Sequence, residues 1–127
     1  MTLPVTSTIL IDDSEVVASR LSSLLKANPA VNYAGRARSI QEGYTLIDRE
    51  HPQVVIINSR LPDGTALSMI SNLKQKYPDL QIVILSNENN DYYKRKCLLM
   101  GAARVLDKSS ELPDILDVID DIQKYLD

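Results

Sequence analysis

Pro52-Gln53-Val54-Val55-Ile56-Ile57-Asn58 is the stretch on which the fold turns. Four consecutive β-branched residues follow a proline and stop at an amide. The run is too short for an ordinary helix and has no polar face, so it reads as a strand buried on both sides. Working toward the C-terminus, Asn58 to Gly64 is a loop. Leu67, Ile70, Leu73 and Tyr77 then fall on one helical face, and Tyr77-Pro78 ends that helix. Ile82-Val83-Ile84-Leu85 is a second buried-type strand. Asn89 to Met100 is helical, with Gly101 as its C-cap. Arg104-Val105-Leu106 is a short strand. Ser110 is placed to cap a last helix, with Pro113 in its first turn and Ile115, Ile119, Ile122 and Leu126 on its inner face.

Working toward the N-terminus, Ser39-Ile40-Gln41-Glu42 is a capping box opening a helix that runs to about Arg49. Val31 to Ala37 is a weaker strand. Val17, Leu21, Leu24 and Leu25 recur at helical spacing behind Ser14, and Asn28-Pro29 stops that helix. Thr8-Ile9-Leu10-Ile11 is a strand ending in Asp12-Asp13. Strands and helices alternate strictly, five of each. The fold class is therefore α/β, a doubly wound five-stranded parallel sheet covered on both faces, with right-handed crossovers. No linker, repeat or low-complexity segment divides residues 1–127, which are expected to form a single domain.

Composition narrows the function. The chain has 127 residues, 44% of them apolar, enough for a real core. It has no Trp or Phe, so Leu, Ile and Val fill that core. A net charge of -3 with both signs interspersed argues against a nucleic-acid surface. The lone Cys97 cannot form an internal disulfide or a cysteine-cluster metal site, which suits a reducing compartment. Met1 to Ser7 has neither a basic region nor a long apolar run, and no stretch approaches membrane-helix length. A cytoplasmic location, away from membranes, is expected.

In sheets of this kind ligands bind beyond the carboxyl ends of the strands. Asp12 and Asp13 follow the first strand, Asn58 ends the third, Ser86 ends the fourth, and Lys108 follows the fifth. Carboxylates can hold a hard divalent cation, a lysine can neutralise phosphate, and a hydroxyl can bond a phosphoryl oxygen. The set suits phosphoryl handling but lacks a nucleophile, since an Asn amide is not one.

This arrangement resembles the receiver domain of two-component response regulators over nearly the whole chain. The matching stretches are Ile9 to Asp13, Pro52 to Leu67, Ile82 to Ser86, and Gly101-Ala102 to Lys108. The resemblance implies a flavodoxin-like (βα)5 fold with strand order 2-1-3-4-5. It also implies a magnesium site at Asp12 and Asp13, with a backbone carbonyl from Arg60, and a phospho-acceptor at position 58. Ser86 would be the switch hydroxyl and Lys108 the phosphate-pairing lysine. Three positions depart from the family. Asn58 stands where the acceptor carboxylate would be, Val105 where a switching Tyr or Phe is usual, and Ser109 where a proline usually follows the lysine.

The expected reading is a pseudo-receiver: a receiver-like signalling module of a two-component or phosphorelay-type system, working by phosphorylation-independent contact with a protein partner. It would be no enzyme. No cofactor is firmly implied, and magnesium binding should be weak with one carboxylate gone. The Asn58 carbonyl could accept from Lys108 while its amide donates to Asp12 or Asp13, so that the pocket satisfies itself. Tyr92, Lys94 and Arg95 lie on the helix bordering the surface that receivers use for partners. A homodimer through the face of helix four, strand five and helix five is one such contact. Three alternatives stay open: an engineered Asn58 in a phosphorylatable receiver, Ser59 or Ser86 as acceptor, and a small-molecule sensor using the same pocket.

Overall fold

A computed structural model describes residues 5–87 and 90–126, the last two of them by backbone only. The elements are β1 (Thr6–Ile11), α1 (Glu15–Ala27), β2 (Val31–Ala37), α2 (Ile40–Glu50), β3 (Val54–Asn58), α3 (Leu67–Lys76), β4 (Gln81–Ser86), α4 (Asp91–Met100), β5 (Arg104–Asp107) and α5 (Ile115–Leu126). The five strands form one parallel sheet in the order β2-β1-β3-β4-β5. β3 is central, and Val54, Val55, Ile56 and Ile57 are all fully buried.

Alternation along each strand sends successive side chains to opposite faces. On one face Ile9, Ile11, Val55, Ile57, Ile82 and Ile84 pack with Leu46 and Ile47 of α2, Met69, Ile70 and Leu73 of α3, and Cys97 of α4. On the other face Leu10, Val54, Ile56, Val83 and Leu85 pack with Leu21 and Leu25 of α1 and Ile115, Ile119 and Ile122 of α5. Burying each such aliphatic side chain contributes roughly 1.5–3 kcal/mol. The sheet is therefore held rigidly, and its carboxyl-end loops start from fixed points.

Several local expectations are corrected. The loop after β3 contains a small antiparallel hairpin, Arg60–Leu61 with Gly64–Thr65. Ser39 does cap α2, accepting from the Glu42 N–H at 3.1 Å, but Glu42 reaches back to the Arg38 N–H at 3.1 Å instead of completing the box on Ser39. Ser110 does not cap the last helix. A 3-10 turn over Leu112–Asp114 leads into α5, and Ser110 lies outside it. The expected start of α4 at Asn89 and the inward position of Leu126 lie outside what is described. Asn90 caps α4, accepting from the Tyr93 N–H at 2.7 Å.

Candidate functional site

The strand ends bring Asp12, Asn58, Ser86 and Lys108 to one edge of the sheet. Asp12 leaves β1 with its N–H bonded to the Ala37 carbonyl at 3.0 Å, which fixes it against the end of β2. Its side chain is fully buried. One oxygen, Oδ1, accepts the Ser14 N–H at 2.8 Å, and Oδ2 lies 3.2 Å from Lys108 Nζ. This second contact is an ion pair without an aligned hydrogen bond, since Oδ2 is buried and accepts none. Asp13, the next residue, points to solvent. The acidic pair is thus divided into one buried and one exposed carboxylate. Lys108 is positioned by its own N–H, which donates to the Ser86 carbonyl at 2.9 Å and extends the β4–β5 ladder. Ser86 is buried at that strand end.

Asn58 makes a bond the sequence did not suggest. Its amide Nδ2 donates to the backbone carbonyl of Arg60 at 2.7 Å, and the expected donation to Asp12 or Asp13 is not made. Donor and acceptor are two positions apart, and the hairpin turns the carbonyl back toward β3. A carbonyl oxygen only accepts, so the group facing it must be the NH2; a carboxylate at position 58 could not make this bond. The hairpin is closed on its other sides as well. Ser59 N–H donates to the Leu85 carbonyl at 2.7 Å, and Ala66 N–H to the Ser59 carbonyl at 3.0 Å. Asp63 at the hairpin tip accepts the Ile40 and Gln41 N–H groups, at 2.8 and 3.1 Å. It therefore caps the start of α2, and these backbone bonds, that from Ile40 foremost, hold its carboxyl below the usual carboxylate range. Gly64 has φ +149°, a conformation that other residues rarely adopt, and a Cβ there would lie 2.8 Å from Ile40 Cδ1, so the tip sits close against the start of α2. Asn58, Ser59, Arg60, Asn87 and Lys108 line an open cleft of about 340 Å³.

The response regulator receiver domain family matches residues 8–120. The chain belongs to that family. Among curated relatives, the DNA-binding transcriptional activator DevR/DosR of Mycobacterium tuberculosis is 30% identical over 89% of this chain and 52% of its own. The nitrate/nitrite response regulator NarL of Escherichia coli is 24% identical over 87% of this chain and 51% of its own. The chain spans about half the length of these relatives. Among solved structures, the non-phosphorylated receiver domain of the stress response regulator RcsB from Escherichia coli superposes with a TM-score of 0.88, at 20% identity, covering 94% of each chain.

In receivers of the usual kind the acidic pair and a hairpin carbonyl surround a magnesium ion. The residues of this receiver, as folded, do not fit one. The Arg60 carbonyl is engaged by the Asn58 amide, both Asp12 oxygens face donors of the protein, and Asp13 is turned outward. Among the described residues no group of three or more acidic, His or Cys side chains is arranged to hold a metal.

At the positions to which the resemblance assigns the switch, the side chains make contacts of their own. Val105 is half-buried and packs, with Tyr93, against the apolar cluster beneath α2, α3 and α4. The Lys108–Ser109 bond is trans. Ser109 uses its N–H and hydroxyl on Asp107 Oδ1, at 2.8 and 2.6 Å, and these bonds, the hydroxyl's first, keep the Asp107 carboxyl below the usual range. On α4, Tyr92 and Leu99 are 76% and 82% exposed and share a face with Arg95, while Tyr93 packs inward. Cys97 is buried beside Tyr93, and burial pushes its thiol up, away from reactivity.

Sequence reasoning missed Asp63, Arg36 and Asp107. Pro62-Asp63-Gly64 carries a turn signature, which points to the hairpin but not to its target on α2. Arg36 reaches under the pocket, its Nε donating to the Asp12 carbonyl at 3.0 Å and its Nη1 pairing with Glu15 at 3.2 Å. No local pattern announces that crossing.

Proposed function

We propose that this receiver is a signalling module that works without phosphorylation of its own pocket, through contact with a protein partner. The observation that carries the reading is the Asn58 side chain at the acceptor position, bonded as an amide to the Arg60 carbonyl. Its nitrogen lone pair is delocalised and its oxygen is a poor nucleophile, so no acyl-phosphate forms there. The domain is then a binding module, not an enzyme, with no cofactor of its own and a cytoplasmic place of work. No helix among the described residues is long and apolar enough to cross a membrane.

The partner surface is the face made by α4, β5 and α5. Tyr92 and Leu99 offer exposed apolar area beside Lys94, Arg95 and Lys96. On α5 and the turn before it stand Asp114, Asp117, Asp120 and Asp121. A basic helix beside an acidic one suits a second copy packed across a two-fold axis, where each meets its opposite. The net charge of -3 argues against direct contact of this domain with DNA.

The test is incubation with a small phosphodonor and magnesium, followed by intact mass. The expected result is no phosphoryl adduct. A gain of one phosphoryl group that Asn58→Ala abolishes would overturn the reading, and one that only Ser59→Ala or Ser86→Ala abolishes would move the acceptor to a serine. Phosphorylating the Asn58→Asp variant is expected to leave the amide shifts of the α4–β5–α5 face in place. Val105 is stiff at χ1 and has no inward and outward aromatic states to bias.

A further inference from the structure

We propose that the Asn58 amide stands where a receiver's cation would stand, and that it closes the Arg60–Thr65 hairpin permanently, with no metal needed. This rests on the pseudo-receiver reading and names what replaces the ion.

Three observations converge on it. The first is the direction of the bond. A cation in a receiver pocket is an electron-pair acceptor, and by the resemblance the carbonyl at the position of Arg60 is one of the donors that would face it. Here the same oxygen receives the Asn58 N–H at 2.7 Å, so the need of that carbonyl for a positive partner is met from within the chain. The second is charge. A pocket with three carboxylates repels itself until a cation enters. With Asn58 neutral, Asp12 is the only buried carboxylate among the described residues, and Lys108 lies 3.2 Å from it as its counter-charge. The third is closure of the loop. Ser59 and Ala66 tie the base of the hairpin to β4 and to itself, and Asp63 ties its tip to α2. The Arg60 carbonyl lies between these anchors, and the amide of Asn58, which is itself 8% exposed, holds it.

An isosteric carboxylate removes that hold. Asn58→Asp leaves the Arg60 carbonyl facing an oxygen with no proton to give, and it adds a second buried charge beside Asp12. Losing this part-buried hydrogen bond is enough for about a tenfold change in local opening. A divalent cation would then restore both what the amide supplied, a positive partner for the carbonyl, and the balance of charge.

The experiment is amide hydrogen exchange on the wild-type chain, Asn58→Asp and Asn58→Ala, each with and without magnesium, and with no phosphodonor present. In the wild type, protection of the hairpin amides and of Ala66 is expected to be the same in both conditions. In Asn58→Asp without magnesium it should fall about tenfold relative to the β3 and β4 amides, and magnesium should restore it. In Asn58→Ala it should fall similarly and stay low with magnesium. The uncharged variant keeps the test alive if the charged one does not fold without the ion. Unchanged protection in both variants, no rescue of Asn58→Asp, or a wild-type hairpin that tightens on adding magnesium would each overturn the proposal. None of these outcomes bears on whether the wild-type chain accepts a phosphoryl group, which the mass measurement decides separately.

Discussion

The two ends of the sheet carry ion pairs of similar length and opposite consequence. At the carboxyl end Lys108 meets Asp12 at 3.2 Å, with side chains 10% and 0% exposed. At the amino end Lys76 meets Asp48 at 2.9 Å, with side chains 63% and 51% exposed. The shorter pair is the weaker contributor, because water already solvates both of its charges and screens their attraction. Asp12 has no such recourse. Once the chain folds, its charge depends on what the protein places beside it. The amino end also has a cleft of about 390 Å³, walled by Ile47, His51, Pro52, Tyr77 and Leu80, larger than the pocket at the carboxyl end. Size does not mark the site. The convergence of buried polar groups does.

The contrast can be tested where its effect should be largest. Lys108→Met leaves Asp12 buried with no counter-charge, and is expected to lower the unfolding free energy by about 3–5 kcal/mol in urea titration. A loss under about 1 kcal/mol would show that Asp12 finds other solvation, and the distinction between the two ends would collapse.

A middle effect is expected at Asp63, an exposed carboxylate with a structural task. Its folded pKa lies below the usual value because the Ile40 and Gln41 N–H groups favour the ionised form. Its contribution is therefore complete above the ordinary carboxylate range and disappears as pH falls through the lowered pKa. Acid titration of the wild type should loosen the start of α2 in that window, followed by the Ile40 and Gln41 amides in hydrogen exchange. Asp63→Ala should be loose already at neutral pH and flat across the same window. An acid response that persists in Asp63→Ala would assign it to another group.

The smallest effect belongs to Lys76→Met. The Asp48 carboxyl is held low, first by the Tyr77 hydroxyl and then by Lys76, so one donor remains after the substitution. The denaturation midpoint should move little, and any change should vanish in high salt. A shift comparable to that of Lys108→Met would break the comparison from the other side.

Much of this architecture was legible in the sequence. β3 reads directly from Val54 to Ile57, because a strand buried on both faces needs no partner to be recognised. The polar strand ends, Asp12, Asn58, Ser86 and Lys108, follow from the same strands, since a parallel sheet places all those ends together. What was not legible depends on which way a short segment turns. The Asn58 bond to Arg60 needs the hairpin, and the hairpin needs Asp63 to find α2 across 23 positions of sequence. Ser110 looked like a cap because serine is a good one, yet the chain enters α5 through a 3-10 turn containing Pro113. Propensity names a residue able to do a task; tertiary contacts choose which one does it.

The bond between Ser59 and Leu85 also bears on how the molecule ages. An asparagine followed by a small residue is open to deamidation. The next backbone nitrogen attacks the side-chain carbonyl carbon, ammonia leaves, and water opens the ring to aspartate or isoaspartate. At Asn58-Ser59 that reaction would slowly turn the amide at position 58 into a carboxylate. Here the attacking nitrogen is the one bonded to the Leu85 carbonyl at 2.7 Å, and the leaving amide is the one held by Arg60. Ring closure would have to break both bonds within a buried strand end. Stored folded, the chain should keep its amide at position 58, whereas stored in urea it should lose it, as peptide mass spectrometry would record. Equal loss in the two states would show that the sheet gives Asn58 no shelter. Folding, on this view, preserves the amide that holds the Arg60 carbonyl.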